Sequence, residues 1–283
     1  MAQANHSTHP IQVLRDTATS LEAAIRSCLS KPRKTAIHNL RTLTRRIEAE
    51  LELLALLPAL PPHEEQARNA VRLLRKLRHA AGQVRDIDVQ RDLIRDEAAA
   101  SNGAPHPSRE QDRDLREQAR QLRRELKRKR DEAEDHLLRL LHKQRTQLPL
   151  AIEELLDTLA PSESITLSEP QLTTLVRDWY GNHREPHEPA PIPQNIADLH
   201  EIRKRAKLAR YLAESAPESA VKARRLAARF ESLQQAGGQW HDWLILAEVA
   251  AHELGDSAQL PQRFAAQADH SLRTFKRRLR YKM

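Results

Sequence analysis

The sequence predicts an all-α fold, and three observations carry that expectation. Six glycines and 3% aromatic residues in 283, against an abundance of Leu, Ala, Arg and Glu, favour helices over sheets. No run of alternating β-branched residues is long enough to make a strand. Apolar residues recur instead at helical spacing, and the chain carries the same two helical motifs twice, in the same order.

The first motif reads His38-x-x-Arg41-x-x-x-Arg45 near the start and His200-x-x-Arg203-x-x-x-Lys207 near the end. The second reads Gly82-Gln83-Val84-Arg85-Asp86 and, in the later copy, Gly238-Gln239-Trp240-His241-Asp242. Two ordered motifs at similar separation define an internal repeat.

The elements follow in order. A first helix is expected over about 11–29, ending before Pro32, and a second carries the first His motif and stops at Pro58. Pro61 and Pro62 lead into a third, which is expected to end near Gly82; a fourth opens around Val84 and runs to Ser101-Asn102-Gly103. A loop over 103–108 precedes a long charged helix, 108–145, whose Leu115, Leu122, Leu126 and Leu137 form a narrow apolar stripe. Short helices near 148–159 and 169–179 lead to the segment 183–193, which holds four prolines and reads as a linker. Helices near 196–214, 218–236, 239–255 and 262–280 then repeat the theme. A single domain over 11–283 results, with a first repeat at about 11–160, a connection at about 161–195 and a second repeat at about 196–281.

Within this frame the charge is unevenly placed. On a helix, positions i, i+3 and i+7 share a face. His38, Arg41 and Arg45 therefore form one stripe, extended by Lys34, with Leu40, Leu43 and Ile47 opposite. His200, Arg203, Lys207 and Arg210 form another, and Arg68, Arg72, Arg75 and His79 a third. A charged face is usually solvated surface, but three cationic faces with almost no acid read as a binding surface. Arg offers a rigid fork of donors to phosphate or carboxylate oxygens, and His donates from both nitrogens once protonated.

A net charge of +8 and a pI near 9.9 point to an acidic partner. Nine aromatic residues are few for stacking bases, so the ligand is expected to be read by its charge. Cys28 is alone, which excludes an intrachain disulfide and makes a reducing compartment the default. The polar stretch 1–10 lacks an apolar signal core, and no segment approaches the roughly 20 apolar residues of a spanning helix. A soluble, cytoplasmic protein without membrane contact is expected.

Asp86 and Asp242 stand where a helix-terminal aspartate would serve architecture. His241-Asp242 could be mistaken for the HD pair of metal phosphohydrolases, but no histidines pair at i, i+4 within an expected helix (His183 and His187 fall in the Pro-rich linker) and no cysteine cluster exists. No Gly-rich phosphate loop of Walker type is present either. Neither a metal, a cofactor nor a catalytic residue is therefore expected.

The motifs resemble those of the CHAD family, the conserved histidine α-helical domain. Its first signature is matched by Ile37-His38-x-x-Arg41-x-x-x-Arg45-Arg46 and Gly82-Gln83-Val84-Arg85-Asp86-Ile87-Asp88-Val89. Its second is matched by Leu199-His200-x-x-Arg203-x-x-x-Lys207-x-x-Arg210-Tyr211. The similarity runs from about residue 11 to 281. It implies two four-helix-bundle-like halves related by pseudo-twofold symmetry, with a basic pocket or channel between them that binds inorganic polyphosphate. It also implies association with polyphosphate granules and with other granule proteins. The implied contacts are His38, Arg41, Arg45, His200, Arg203, Lys207 and Arg210, with Arg75 added; Lys34, Arg72 and His79 join them from the stripes. Glu48 departs from the family pattern where a basic residue is common, as do Lys76 and Gly237 where large apolar residues are common. CHAD domains are sometimes fused to a CYTH-type triphosphatase whose strand carries E-x-E-x-K; Glu48-Ala49-Glu50-Leu51-Glu52 lacks the Lys and lies in an expected helix. A free-standing, non-catalytic polyphosphate binder is the resulting expectation. A general polyanion or nucleic-acid binder and a granule scaffold remain as alternatives at this point, nucleic acid otherwise entering only as a competing polyanion.

Overall fold

The computed structural model describes residues 7–58, 60–101, 109–182 and 195–280. Apolar residues at three- and four-residue intervals become nine α-helices among these residues. They are α1 (Pro10–Ser30), α2 (Lys34–Ala55), α3 (Glu64–Ser101), α4 (Arg109–Gln144), α5 (Gln147–Leu159), α6 (Glu169–Asn182), α7 (Ile196–Glu214), α8 (Val221–Leu254) and α9 (Gln259–Arg280). No strand forms among them; a lone antiparallel bridge joins Thr8 to Leu167. The fold is all-α, as the composition implied. The loop expected at 103–108 and the Pro-rich linker at 183–193 lie outside the described residues.

Two expected helix breaks do not occur. Helix α3 passes through Gly82, and α8 passes through Gly237 and Gly238, so four expected helices merge into two long rods. Glycine costs about 1 kcal/mol in a helix interior but does not stop one. Its use here is to remove a side chain where another helix comes close. A Cβ on Gly237 would lie 2.9 Å from Cζ of Phe275 and 3.2 Å from Cγ of Arg203. At Gly82 the nearest atom would be Nε of Arg41, at 3.4 Å, whereas Gly238 faces no such neighbour.

The two sites should therefore respond oppositely to alanine. Gly237→Ala drives a methyl into a fully buried ring and is expected to lower stability by about 1–3 kcal/mol. Gly82→Ala meets only ordinary contact and is expected to be neutral or stabilising by up to about 1 kcal/mol. Thermal melts of the two variants check the contrast.

The buried apolar residues divide into three clusters. The first joins α1, α2, the early part of α3, the end of α4 and α5, through residues such as Leu14, Leu40, Leu77, Leu141 and Leu155. The second joins α6, α7 and the early part of α8, with Leu53 from α2 and Phe275 from α9. The third joins the far ends of the long helices: Ile94 of α3, Leu122 and Leu126 of α4, Trp243 and Leu246 of α8, and Phe264 of α9. Each rod thus belongs to two clusters. Helix α4 is also fixed to α3 by charge: fully buried Asp88 accepts from Nε of Arg130 at 2.9 Å, and Arg130 pairs with Glu134 as well. An ion pair this deep gives orientation more than net stability.

Candidate anion-binding site

Helices α2 and α7 pack against each other, and α3 packs against α8. Arg46 Nη2 meets Glu214 Oε2 at 3.1 Å and ties α2 to α7. Between α3 and α8 a small cavity of about 30 Å³ is lined by Asp86, Gln90, His241 and Asp242. The motif residues of both halves converge where these four helices meet.

The close approaches at glycine shape the site. Arg41 of α2 runs over Gly82 of α3, and its Nη2 reaches Asp86 Oδ1 at 3.6 Å. The aliphatic stem of Arg203 in α7 lies against Gly237 of α8. On each rod a glycine lies beside a motif arginine of the neighbouring helix: the approach at Gly237 leaves no room for a side chain, while that at Gly82 would admit a methyl.

The electrostatics are unbalanced. Among the described residues Arg45, Arg203 and Lys207 form no ion pair. Burial, followed by Arg45, Arg41 and Arg203, pushes the Lys207 ammonium down to about 6. Burial, followed by Arg41 and Arg78, lowers Arg45 to about 10. Arg203 is lowered as well, by burial, against the opposing pull of Asp242. Burial raises Asp242, and Arg203 and Arg85 hold it back. Desolvated like charges gathered this closely oppose one another's charged forms.

The histidines feel the same field. His38 is lowered by burial and then by Arg85, Arg41 and Lys207. His200 is lowered by burial and Arg203; its ring stacks on Trp240 at 4.9 Å and meets His241 edge-on at 4.8 Å. His241 is pushed down to about 3 by burial and then Arg203, and so is neutral at neutral pH. Buried nitrogens without a hydrogen-bond partner include Nε of Arg41, Arg45 and Arg203 and Nδ1 of His241. Such groups cost stability when left unsatisfied. Donors held by a rigid helical frame suit a ligand that brings many acceptor oxygens and negative charge.

Of the sequence-predicted residues, the structure brings together His38, Arg41, Arg45, His200, Arg203 and Lys207. Arg210 lies further along α7, paired with Glu214 at 2.6 Å and Glu231 at 3.2 Å, with its guanidinium over the Tyr211 ring. Lys34 caps the other end of the α2 stripe and pairs with Asp92 at 2.7 Å. Arg72 lies elsewhere: it bonds Asn69 at 2.8 Å and lines a groove shared with α4 and α5. Arg75 and His79 are exposed on α3.

Two further cations belong to the cluster. Arg78 lies near Arg41 and Arg45 and pairs with Glu48, and Arg85 acts on His38 and Asp242. On an unbroken helix Arg78, Gly82 and Arg85 share one face. The expected break at Gly82 concealed that register, which is the signal that would have found them. The acid at position 48, where the family pattern favours a base, is taken up in the ion pair that holds Arg78 of α3 beside Arg41 and Arg45.

A family model described as the CHAD domain matches residues 12–251, and the chain belongs to the CHAD domain family. Among solved structures, PptA from Streptomyces chartreusis is similar with a TM-score of 0.65 at 18% identity, covering 95% of this chain and 97% of that one. The CHAD domain from the plant Ricinus communis is similar with a TM-score of 0.63 at 15% identity, covering 100% of this chain and 95% of that one. At these identities the likeness is one of fold. No curated protein matches the sequence. Among the described residues no helix is long and apolar enough to cross a membrane, and no group of three or more His, Cys, Asp or Glu side chains is placed to hold a metal ion.

Proposed function

We propose that this CHAD protein binds inorganic polyphosphate, without catalysing its turnover, in the cationic cleft where α2 and α3 meet α7 and α8. The observation that carries the reading is the cluster of Arg45, Arg203 and Lys207, drawn from α2 and α7, desolvated and forming no ion pair among the described residues, with only the more distant carboxylates of Asp86 and Asp242 opposing it. A half-buried cation cluster is costly by itself and becomes favourable when an anion enters. A linear polyphosphate offers charge at regular intervals and several oxygens for each guanidinium fork. Arg41, Arg78 and Arg85 extend the path, and His38 and His200 add donors as a bound anion raises their pKa. Through such binding the protein would be carried to polyphosphate granules.

Counterion release makes the proposal measurable. By analogy with single-stranded nucleic acids, log Kobs should fall with log salt by about 0.7 for each phosphate neutralised. For roughly six contacts that is on the order of 10²–10³-fold between about 50 and 200 mM salt. Titration with long-chain polyphosphate, competed by single-stranded RNA and by ATP at matched charge, separates the readings. Tight, salt-sensitive binding that RNA fails to displace supports a dedicated polyphosphate site. Equal displacement by RNA would reduce the site to a general polyanion cleft.

A further inference from the structure

Away from the central cleft, α3, the end of α4 and α5 enclose a groove of about 450 Å³ that the polyphosphate reading does not use. Its rim carries Arg72 and Lys76 from α3 and Lys143 from α4, and none of them forms an ion pair among the described residues. Leu73, Leu140 and Ala151 give it an apolar part, and beside them Leu150 of α5 is 57% exposed, the most exposed large hydrophobic residue among the described residues. Gln144 lines the groove from below. It is 3% exposed, and its Oε1 has no hydrogen-bond partner. A second recess of about 500 Å³ shares Asn69, Arg72 and Glu154 with the first and continues along α3 to Arg68 and Glu65, where its charge is mixed.

We infer that this groove docks an acidic segment of a partner protein, one that places an apolar side chain on Leu150 between carboxylates that meet Arg72, Lys76 and Lys143. Each part of the surface selects for that chemistry. Exposed leucine beside apolar neighbours favours an apolar anchor, which a bare phosphate chain does not have. Unpaired cations around it favour acidic neighbours and repel basic ones. Glu154 on the rim works against a pure polyanion, and the buried amide of Gln144 matches a peptide group, which both donates and accepts. The inference stands on residues separate from the central cleft and holds whether or not that cleft binds polyphosphate.

The test uses a fluorescent acidic peptide with leucine at every third or fourth position, and a control of equal charge in which serine replaces leucine. Fluorescence anisotropy on the full-length protein should show saturable binding of the first and at least about tenfold weaker binding of the second. Leu150→Asp and the double variant Arg72→Glu, Lys143→Glu should each weaken the leucine peptide at least tenfold. Because these positions lie on the surface, both variants should keep the wild-type melting profile and the wild-type response to polyphosphate. Equal binding of the two peptides, displacement of the leucine peptide by polyphosphate from the Leu150→Asp protein as from wild type, or no saturation up to millimolar peptide would each overturn the assignment.

Discussion

Replacing Arg41 and Arg203 together by glutamate is expected to abolish polyphosphate binding while leaving the helical circular dichroism signal intact. Arg41 comes from α2 and Arg203 from α7, so the pair removes one proposed contact from each side of the cationic cluster. Each charge-assisted hydrogen bond contributes about 1.5–3 kcal/mol, so losing two weakens binding by about 3–6 kcal/mol before the repulsion of two new carboxylates is added. That corresponds to a loss of about 10²–10⁴-fold or more. The fold should survive because Arg45 and Lys207 lie close enough to pair with the new acids, and because the buried Nε atoms of both arginines are themselves unsatisfied. The isosterically milder pair Arg41→Gln and Arg203→Gln should fall between wild type and the reversal. Titration calorimetry beside a melting curve is the measurement, and normal binding by a folded reversal variant would remove the cleft from consideration.

Lys207→Met should move stability and binding in opposite directions. The folded-state value near 6 lies far below the ordinary 10.5 of a lysine. A group depressed in this way contributes its full stability above the unfolded value; that contribution declines as pH falls from about 10.5 towards 6 and stays lost below it. At neutral pH the wild-type protein therefore carries a penalty on the order of 5 kcal/mol, about 1.4 kcal/mol for each pH unit below 10.5, which methionine removes, and the variant should melt several degrees higher. Polyphosphate affinity should drop at least tenfold. In the wild type an arriving anion restores the proton to Lys207, so binding near pH 7.5 should take up protons and affinity should decline as pH rises above about 6. Calorimetry in two buffers of different ionisation enthalpy reads the uptake directly. A lower melting point with unchanged affinity would contradict both halves of the argument.

The helical class was legible because apolar spacing and the near absence of strand-forming runs are local properties. The repeated His-Arg motif likewise placed Arg41, Arg45, Arg203 and Lys207 on two faces before any packing was known, and those faces do converge. What the sequence could not disclose was which neighbour each glycine accommodates. Gly82 and Gly237 looked like punctuation, but their role is set by Arg41, Phe275 and Arg203, which lie far away along the chain. Misreading them split two rods and separated Arg78 from Arg85. The third cationic stripe failed for a related reason. Arg72 shares a helix with the cleft residues, yet α4 and α5 claim its side of α3 for another groove. Nor could composition show that the apolar residues form three clusters, since that depends on where the ends of α3, α4, α8 and α9 meet.

The sharing of α3 and α8 between clusters bears on how the molecule comes apart. Two groups of helices joined in sequence would ordinarily be separable, each melting in its own transition. Here neither group closes its own interior: the far halves of both rods pack with α4 and α9 in a third cluster that draws on α3 and α4 as well as α8 and α9. Loosening one group therefore withdraws a wall from the other, and a single cooperative unfolding transition is expected. A gene cut at the linker would yield two pieces with exposed apolar flanks, each soluble only in the other's company.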